Sequence, residues 1–315
     1  MVVAEVVRSG FVEGRHHGSV VALAPDGGVD WSVGDVDGPV LPRSCNKPIQ
    51  ALALLRLGWE PVSERHLALA CASHSGEDFH VTTARETLEA AGLDDSALQT
   101  PPDWPLEDAV REALIAGGGH RSPIFMNCSG KHAAMLATCV AQGWPTDTYR
   151  DPDHPLQQAV TETFAELTGE PVAHVAVDGC GLPLLATSLT GLARAFRALA
   201  VATDGPEARI AAAIRSHPTY VSGTTRDERR LLEAIPGAIG KAGAEACYAV
   251  ATPDGRAWAL KIEDGGARAR PVVMAAALER SGVLDLDGVD ADAVRATGRQ
   301  PLLGGGVEVG QVRAV

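Results

Sequence analysis

Cys247-Tyr248-Ala249-Val250-Ala251-Thr252-Pro253-Asp254-Gly255-Arg256-Ala257-Trp258-Ala259-Leu260-Lys261-Ile262 reads as two apolar runs, Cys247–Thr252 and Arg256–Ile262, around a tight turn. Pro pre-sets the backbone, Asp bonds its own main chain and Gly takes positive φ, so Thr252–Gly255 predicts a hairpin. A strand hairpin this late matters because the preceding two hundred residues read differently. From about residue 44 the apolar spacing is helical: Ile49, Leu52, Leu55 and Leu57 share a face, and Gly58 stops the run. Further helices are expected over 82–92, 106–116, 131–142, 156–168, 187–200, 206–215 and 225–234, with a final one over 272–280. The N-terminus, in contrast, carries Val-rich runs at 2–7, 19–24 and 28–33, the last two separated by Ala24-Pro25-Asp26-Gly27-Gly28. Strands at both ends and helices between them suit an α+β chain, in which first and last strands share one antiparallel sheet beside a helical lobe. One globular unit of two lobes over 1–315 is the expected domain organisation, an α/β chain in the broad sense.

Composition narrows the function. The 315 residues include 45% apolar and 4% aromatic side chains, enough for a large core without disulfides. Net charge is −13, and no Lys/Arg cluster offers a polyanion surface, so nucleic acid is excluded as a partner. No run of about 18 apolar residues is present to span a membrane. Met1–Arg8 lacks the features of a secretory signal, and the expected compartment is the cytoplasm. Six dispersed cysteines do not form a disulfide framework in a chain of this length.

Only four of the 27 basic residues are lysines: Lys47, Lys131, Lys241 and Lys261. Arginine serves for charge everywhere else. It cannot replace lysine where a neutral amine is required, since guanidinium stays protonated. Each lysine is therefore a candidate for chemistry.

Ser44 and Lys47 stand in Ser-x-x-Lys spacing within Pro42-Arg43-Ser44-Cys45-Asn46-Lys47-Pro48. With a helix starting near Ser44, the amine reaches the hydroxyl one turn away. Pro48 requires that the helix has only just begun. A desolvated lysine then serves as base for a serine nucleophile, as in penicillin-binding and class A β-lactamase-type enzymes. Cys71-Ala72-Ser73-His74-Ser75-Gly76-Glu77 is a loop ahead of a helix, offering a second hydroxyl or simply capping that helix. Lys261, at the end of a strand, is a second candidate amine. Cys128-Ser129-Gly130-Lys131-His132 and Asp178-Gly179-Cys180 bring two thiols that could pair on zinc or remain buried and free. There is no Gly-x-Ser-x-Gly elbow, P-loop or Gly-x-Gly-x-x-Gly after a strand, which argues against an α/β-hydrolase and against nucleotide binding.

Taken in order, these segments resemble the asparaginase II family, the rhizobial-type class 3 L-asparaginases. The likeness runs through Val12–Gly18, Pro42–Gln50, Ser73–Glu77, Cys128–Leu136, Val177–Pro183, Gly240–Glu245 and Lys261–Gly265. All four lysines fall inside it. Gly14, Ala134 and Ala246 depart from the residues usual there, which are Ser, Gly and Gly. The resemblance implies a fold similar to serine β-lactamases and glutaminases, and hydrolysis of L-asparagine to L-aspartate and ammonia. It implies two serine–lysine pairs, Ser44–Lys47 and Ser73–Lys261, with Ser75 the alternative to Ser73. It also implies a supporting zinc ion on Cys128, Lys131 and Cys180, and a homodimer. Arg43, Glu77 and Asp178 are the expected contributors to substrate binding. The rival expectation is a metal-dependent or other serine amidohydrolase acting on a different small amide.

Overall fold

The computed structural model describes residues 1–315. Its strands are β1 (Val2–Arg8), β2 (Phe11–Leu23), β3 (Val29–Val33), β4 (Val175–Val177), β5 (Pro183–Leu185), β6 (Ile239–Gly243), β7 (Cys247–Ala251), β8 (Ala257–Ile262), β9 (Gln300–Gly304) and β10 (Val307–Ala314). Eight form one sheet in the order β6-β7-β8-β2-β1-β10-β9, with β3 also on β2, and β4–β5 form a separate small ribbon. Both ends of the chain meet in this sheet. The Val20↔Leu260 register joins β2 to β8, and Val6↔Val312 joins β1 to β10, all antiparallel.

The long β2 makes this possible by serving two neighbourhoods. Its first half pairs with β1, while Gly18 to Leu23 pair with β8. At Gly18 a Cβ would lie 2.5 Å from the Lys261 carbonyl, so the crossing point needs glycine. The central strands are buried on both faces: every residue of β7 and all but Lys261 of β8. The Trp258 indole donates to Ser281 just past the helix Ala269–Arg280, fixing that helix on one face. Alternation along the strands leaves the other face to the helix Leu189–Val201 and the helical lobe.

That lobe begins with α1 (Lys47–Arg56), α2 (Glu64–Ala70), α3 (Asp78–Ala90), α4 (Asp108–Ala116) and α5 (Ser129–Gln142). No helix is long and apolar enough to cross a membrane. Two expectations need correction. The helix does not start at Ser44: Arg43–Asn46 form a 3-10 turn, and α1 begins at Lys47 with Pro48 in its first turn. The helix over 272–280 is not the last element either. A short helix at Ala291–Thr297 and the hairpin β9–β10 follow it. The largely exposed β9–β10 ribbon presents mixed small, polar and apolar residues around Gly304-Gly305-Gly306, so it shows no apolar alternation. β6 escapes the pattern too, since Ile-Gly-Lys-Ala-Gly has only one β-branched residue.

Three of the four lysines lie in the interior, with exposures of 1% for Lys47, 2% for Lys131 and 0% for Lys241. Lys241 on β6 donates to Glu228 Oε1 at 2.6 Å, and the same oxygen accepts from the Ala242 amide at 2.9 Å. This pair anchors the helix Asp227–Ala234 to the sheet edge. Lys241→Met should destabilise the fold by roughly 3–5 kcal/mol, because it leaves a buried carboxylate without its cation. Adding Glu228→Gln should recover part of that loss in urea unfolding.

Candidate active site

Pro42 leads into the 3-10 turn that carries Ser44, and the chain then runs straight into α1. Ser44 is half-buried while Lys47, one turn on, is sealed in. Lys47 Nζ donates to the Ala72 carbonyl at 2.5 Å, to Ser73 Oγ at 3.0 Å and to Asn127 Oδ1 at 3.5 Å. Burial pulls its pKa below the usual lysine value, with neighbouring cations adding to the effect and Cys128 opposing it. The hydroxyl bonded to Lys47 is therefore that of Ser73, where the sequence reading paired Lys47 with Ser44. Lys261 in turn makes no bond to Ser73; it donates to the Glu245 and Ile262 carbonyls, each at 2.5 Å.

The backbone around Ser44 is pressed against the end of β6. A Cβ on Gly243 would stand 2.6 Å from the Pro42 carbonyl and 3.3 Å from the Ser44 nitrogen. Backbone strain gathers at the same place. Four non-glycine residues have positive φ, and three of them are Arg43 (51°), Glu245 (56°) and Ala246 (52°). Each costs about 1 kcal/mol relative to the right-handed form. Arg43 donates to Asp178 Oδ1 at 2.8 Å and approaches Glu245 Oε1 at 3.8 Å, so two carboxylates flank its guanidinium. Asp178 is held below the usual carboxylate range: burial would raise it, but Lys131 and Arg43 outweigh that.

The loop after α2 separates its two serines by role. Ser73 meets Lys47, whereas Ser75 Oγ donates to the Ser222 carbonyl at 3.1 Å. Glu77 is occupied as well: Thr224 donates from its amide at 3.0 Å and from its hydroxyl at 2.6 Å. Its carboxylate thus fixes the 222–225 loop beside the cleft and does not stand free for a ligand. Asn127 is a residue the sequence reading passed over. Its Oδ1 accepts from both Lys47 and Cys128, the latter at 3.3 Å, and its place directly before the Cys128 motif was the available signal.

Cys128 caps α5, Lys131 lies in the first turn of α5, and Cys180 sits on the turn between β4 and β5. Lys131 Nζ donates to Cys180 Sγ at 3.4 Å. The neighbouring Cys128 thiol, with help from Lys131, draws the Cys180 thiol down to about 5, while Cys128 is pushed up to about 12. Burial works against the Lys131 charge, but the two sulfurs and Asp178 raise its pKa regardless. His, Cys, Asp and Glu alone do not assemble in threes anywhere as a metal cage. Counting the Lys131 amine, which must shed its proton to ligate, Cys128, Lys131 and Cys180 would supply two sulfur donors and one nitrogen, with one sulfur already favoured as thiolate. That donor chemistry fits a borderline-soft divalent ion.

A family model described as L-asparaginase II matches residues 4–314. The chain belongs to the L-asparaginase II family. No curated protein sequence matches it. Among solved structures it is similar to Mglu in its native form, at 15% identity over 87% of this chain and 66% of that one, with a TM-score of 0.45. A β-lactamase from Mycobacterium bovis matches at 14% identity over 84% of this chain and 94% of that one, with a TM-score of 0.38.

The contact between β6 and Ser44 then has a direct test. Gly243→Ala should lower turnover on the order of 10²-fold by displacing the Ser44 backbone, and should also lower the unfolding midpoint, since the added Cβ meets main chain.

Proposed function

We propose that this chain is an L-asparaginase, converting L-asparagine to L-aspartate and ammonia through an acyl-enzyme on Ser44. The observation that carries the reading is the buried Lys47 amine, one turn from Ser44 and hydrogen-bonded to the Ser73 hydroxyl at 3.0 Å. Burial favours the neutral amine, which is what a base for serine must be. Ser44 Oγ attacks the side-chain amide carbon and its proton passes to Lys47. The Ser44 amide, at the turn that leads into α1, donates to the developing oxyanion. Ser73, in contact with Lys47, relays the proton to the departing nitrogen, so ammonia leaves as the C–N bond breaks. Water then attacks the ester, Lys47 takes its proton, and Ser44 recovers its hydrogen as L-aspartate is released.

The ionic groups at the rim suit a small zwitterion. Asp178, kept anionic by Lys131 and Arg43, offers an acceptor for an α-ammonium group. A site that pairs such groups can reject L-glutamine by length, since a misplaced substrate leaves buried polar groups unpaired. Zinc is the second part of the proposal, held by Cys128, Lys131 and Cys180. When bound it would supply a fixed positive charge that helps to hold and orient the substrate.

Ammonia release from L-asparagine and from L-glutamine, with wild type and Ser44→Ala side by side, tests the chemistry. The expected result is turnover of L-asparagine by wild type and a loss of at least about 10³-fold in the variant, as when a nucleophile is removed. Full turnover by Ser44→Ala would sink the assignment. Elemental analysis tests the metal separately: wild type purified without chelator should carry close to one zinc per chain, and Cys180→Ser should lose it.

A further inference from the structure

A free amino acid carries an ammonium and a carboxylate on neighbouring atoms, so a site that selects it must offer open hydrogen-bonding capacity of both signs. Three ionic side chains stand together beside Ser44: Asp178, Arg43 and Glu245. Asp178 is already engaged, since its Oδ1 accepts from Arg43 Nε at 2.8 Å and from the Gly179 amide at 2.9 Å. That bond uses one edge of the guanidinium and leaves Nη1 and Nη2 turned towards Glu245 and Gly179. Glu245 differs from Asp178. Its Oε1 stands 3.8 Å from Arg43 Nη1, beyond hydrogen-bond reach, and its side chain is 61% exposed. The backbone brings this carboxylate to the cleft. Glu245 and Ala246 hold φ of 56° and 52° in the turn from β6 to β7, values that favour Asn or Gly at both positions. Turn chemistry does not call for glutamate there, so what the position supplies is its charge. Room for that charge is made on the opposite side, where a Cβ on Gly265 would overlap the Glu245 carboxylate. Gly243, two residues earlier, abuts the Ser44 nitrogen, and the Glu245 carbonyl accepts from Lys261 at 2.5 Å. The turn therefore borders the same cleft as the serine.

We propose that Glu245 is a specificity-determining residue: with the second oxygen of Asp178 it receives the α-ammonium of the substrate, while the outer nitrogens of Arg43 receive the α-carboxylate. The site thus takes free α-amino acids that bear a side-chain amide. An amide without the amine brings its carboxylate beside two others with no cation of its own, and is rejected. The inference rests on the asparaginase reading and names what that site recognises.

Succinamate is L-asparagine without its amine, and each releases ammonia when its amide is cleaved. The full chain is assayed on both compounds as wild type, Glu245→Gln and Asp178→Asn, with the melting temperature as a check on folding. Wild type should prefer L-asparagine by at least about 100-fold in kcat/KM. Glu245→Gln keeps the shape and removes the charge. It should lower kcat/KM on L-asparagine by about 30-fold or more and leave succinamate within about threefold. Glu245→Asn, uncharged and better suited to the turn, should show the same selective loss without melting earlier. Asp178→Asn should slow both compounds, because it also releases Arg43. Equal losses on the two compounds in Glu245→Gln, or L-asparagine turnover within about threefold of wild type, overturn the proposal. So does a selective loss found in Asp178→Asn alone. Wild type that cleaves both compounds equally well keeps the hydrolase reading and removes the amine reader. Wild type that cleaves neither ends the asparaginase reading, and this inference with it.

Discussion

A lysine amine removed from water must find acceptors or lose its proton, and this constraint organises the cleft. Lys47 gathers the Ala72 carbonyl and the Ser73 hydroxyl from the loop after α2, and the Asn127 carbonyl from the approach to α5. Three segments distant in sequence are thereby fixed around one nitrogen. The same rule governs the other interior amines. Lys241 takes Glu228 across the sheet edge, and Lys131 takes Cys180 from the β4–β5 ribbon. Each buried lysine holds one junction of the site, so a chain that otherwise uses arginine keeps lysine at these positions.

Much of the fold was legible because it depends on local periods and turn chemistry. The Thr252–Gly255 turn, the Val-rich N-terminal strands and the helical middle could each be read from a short window. The C-terminal hairpin could not, because an exposed ribbon around three glycines needs no apolar alternation. β6 was hidden for a related reason. Two of its five residues are glycines, and the close approach of Gly243 to the Pro42 carbonyl is one that only the folded chain creates. For the site, composition singled out the lysines but not their partners. Ser73 lies 26 positions from Lys47 and Glu228 lies 13 from Lys241, so both pairings are set by the tertiary path. Asn127 and Glu77 illustrate the two kinds of gap. One acts through a side-chain carbonyl just outside the Cys128 motif, and the other carries a charge already engaged by a neighbouring loop.

Strain has a location in this molecule. Arg43, Glu245 and Ala246 stand on the two backbone segments that meet beside Ser44, held by Asp178, Lys261 and the packing of Gly243. Ala246 holds a φ of 52°, so this chain carries a burden there that a single methyl group creates.

The union of both chain ends in one sheet has a consequence for the order of folding. The β2–β8 and β1–β10 pairings close loops of most of the chain, while the helices between them rest on neighbours much closer in sequence. Contacts of such separation form slowly, because chain entropy is lost before they return any stabilisation. The helical lobe can therefore consolidate early, and Ser44 meets the end of β6 only when the sheet closes. A nascent chain that ends before β6 holds only one wall of the cleft, because Ser44 and Gly243 come from opposite sides of the helical lobe in the chain.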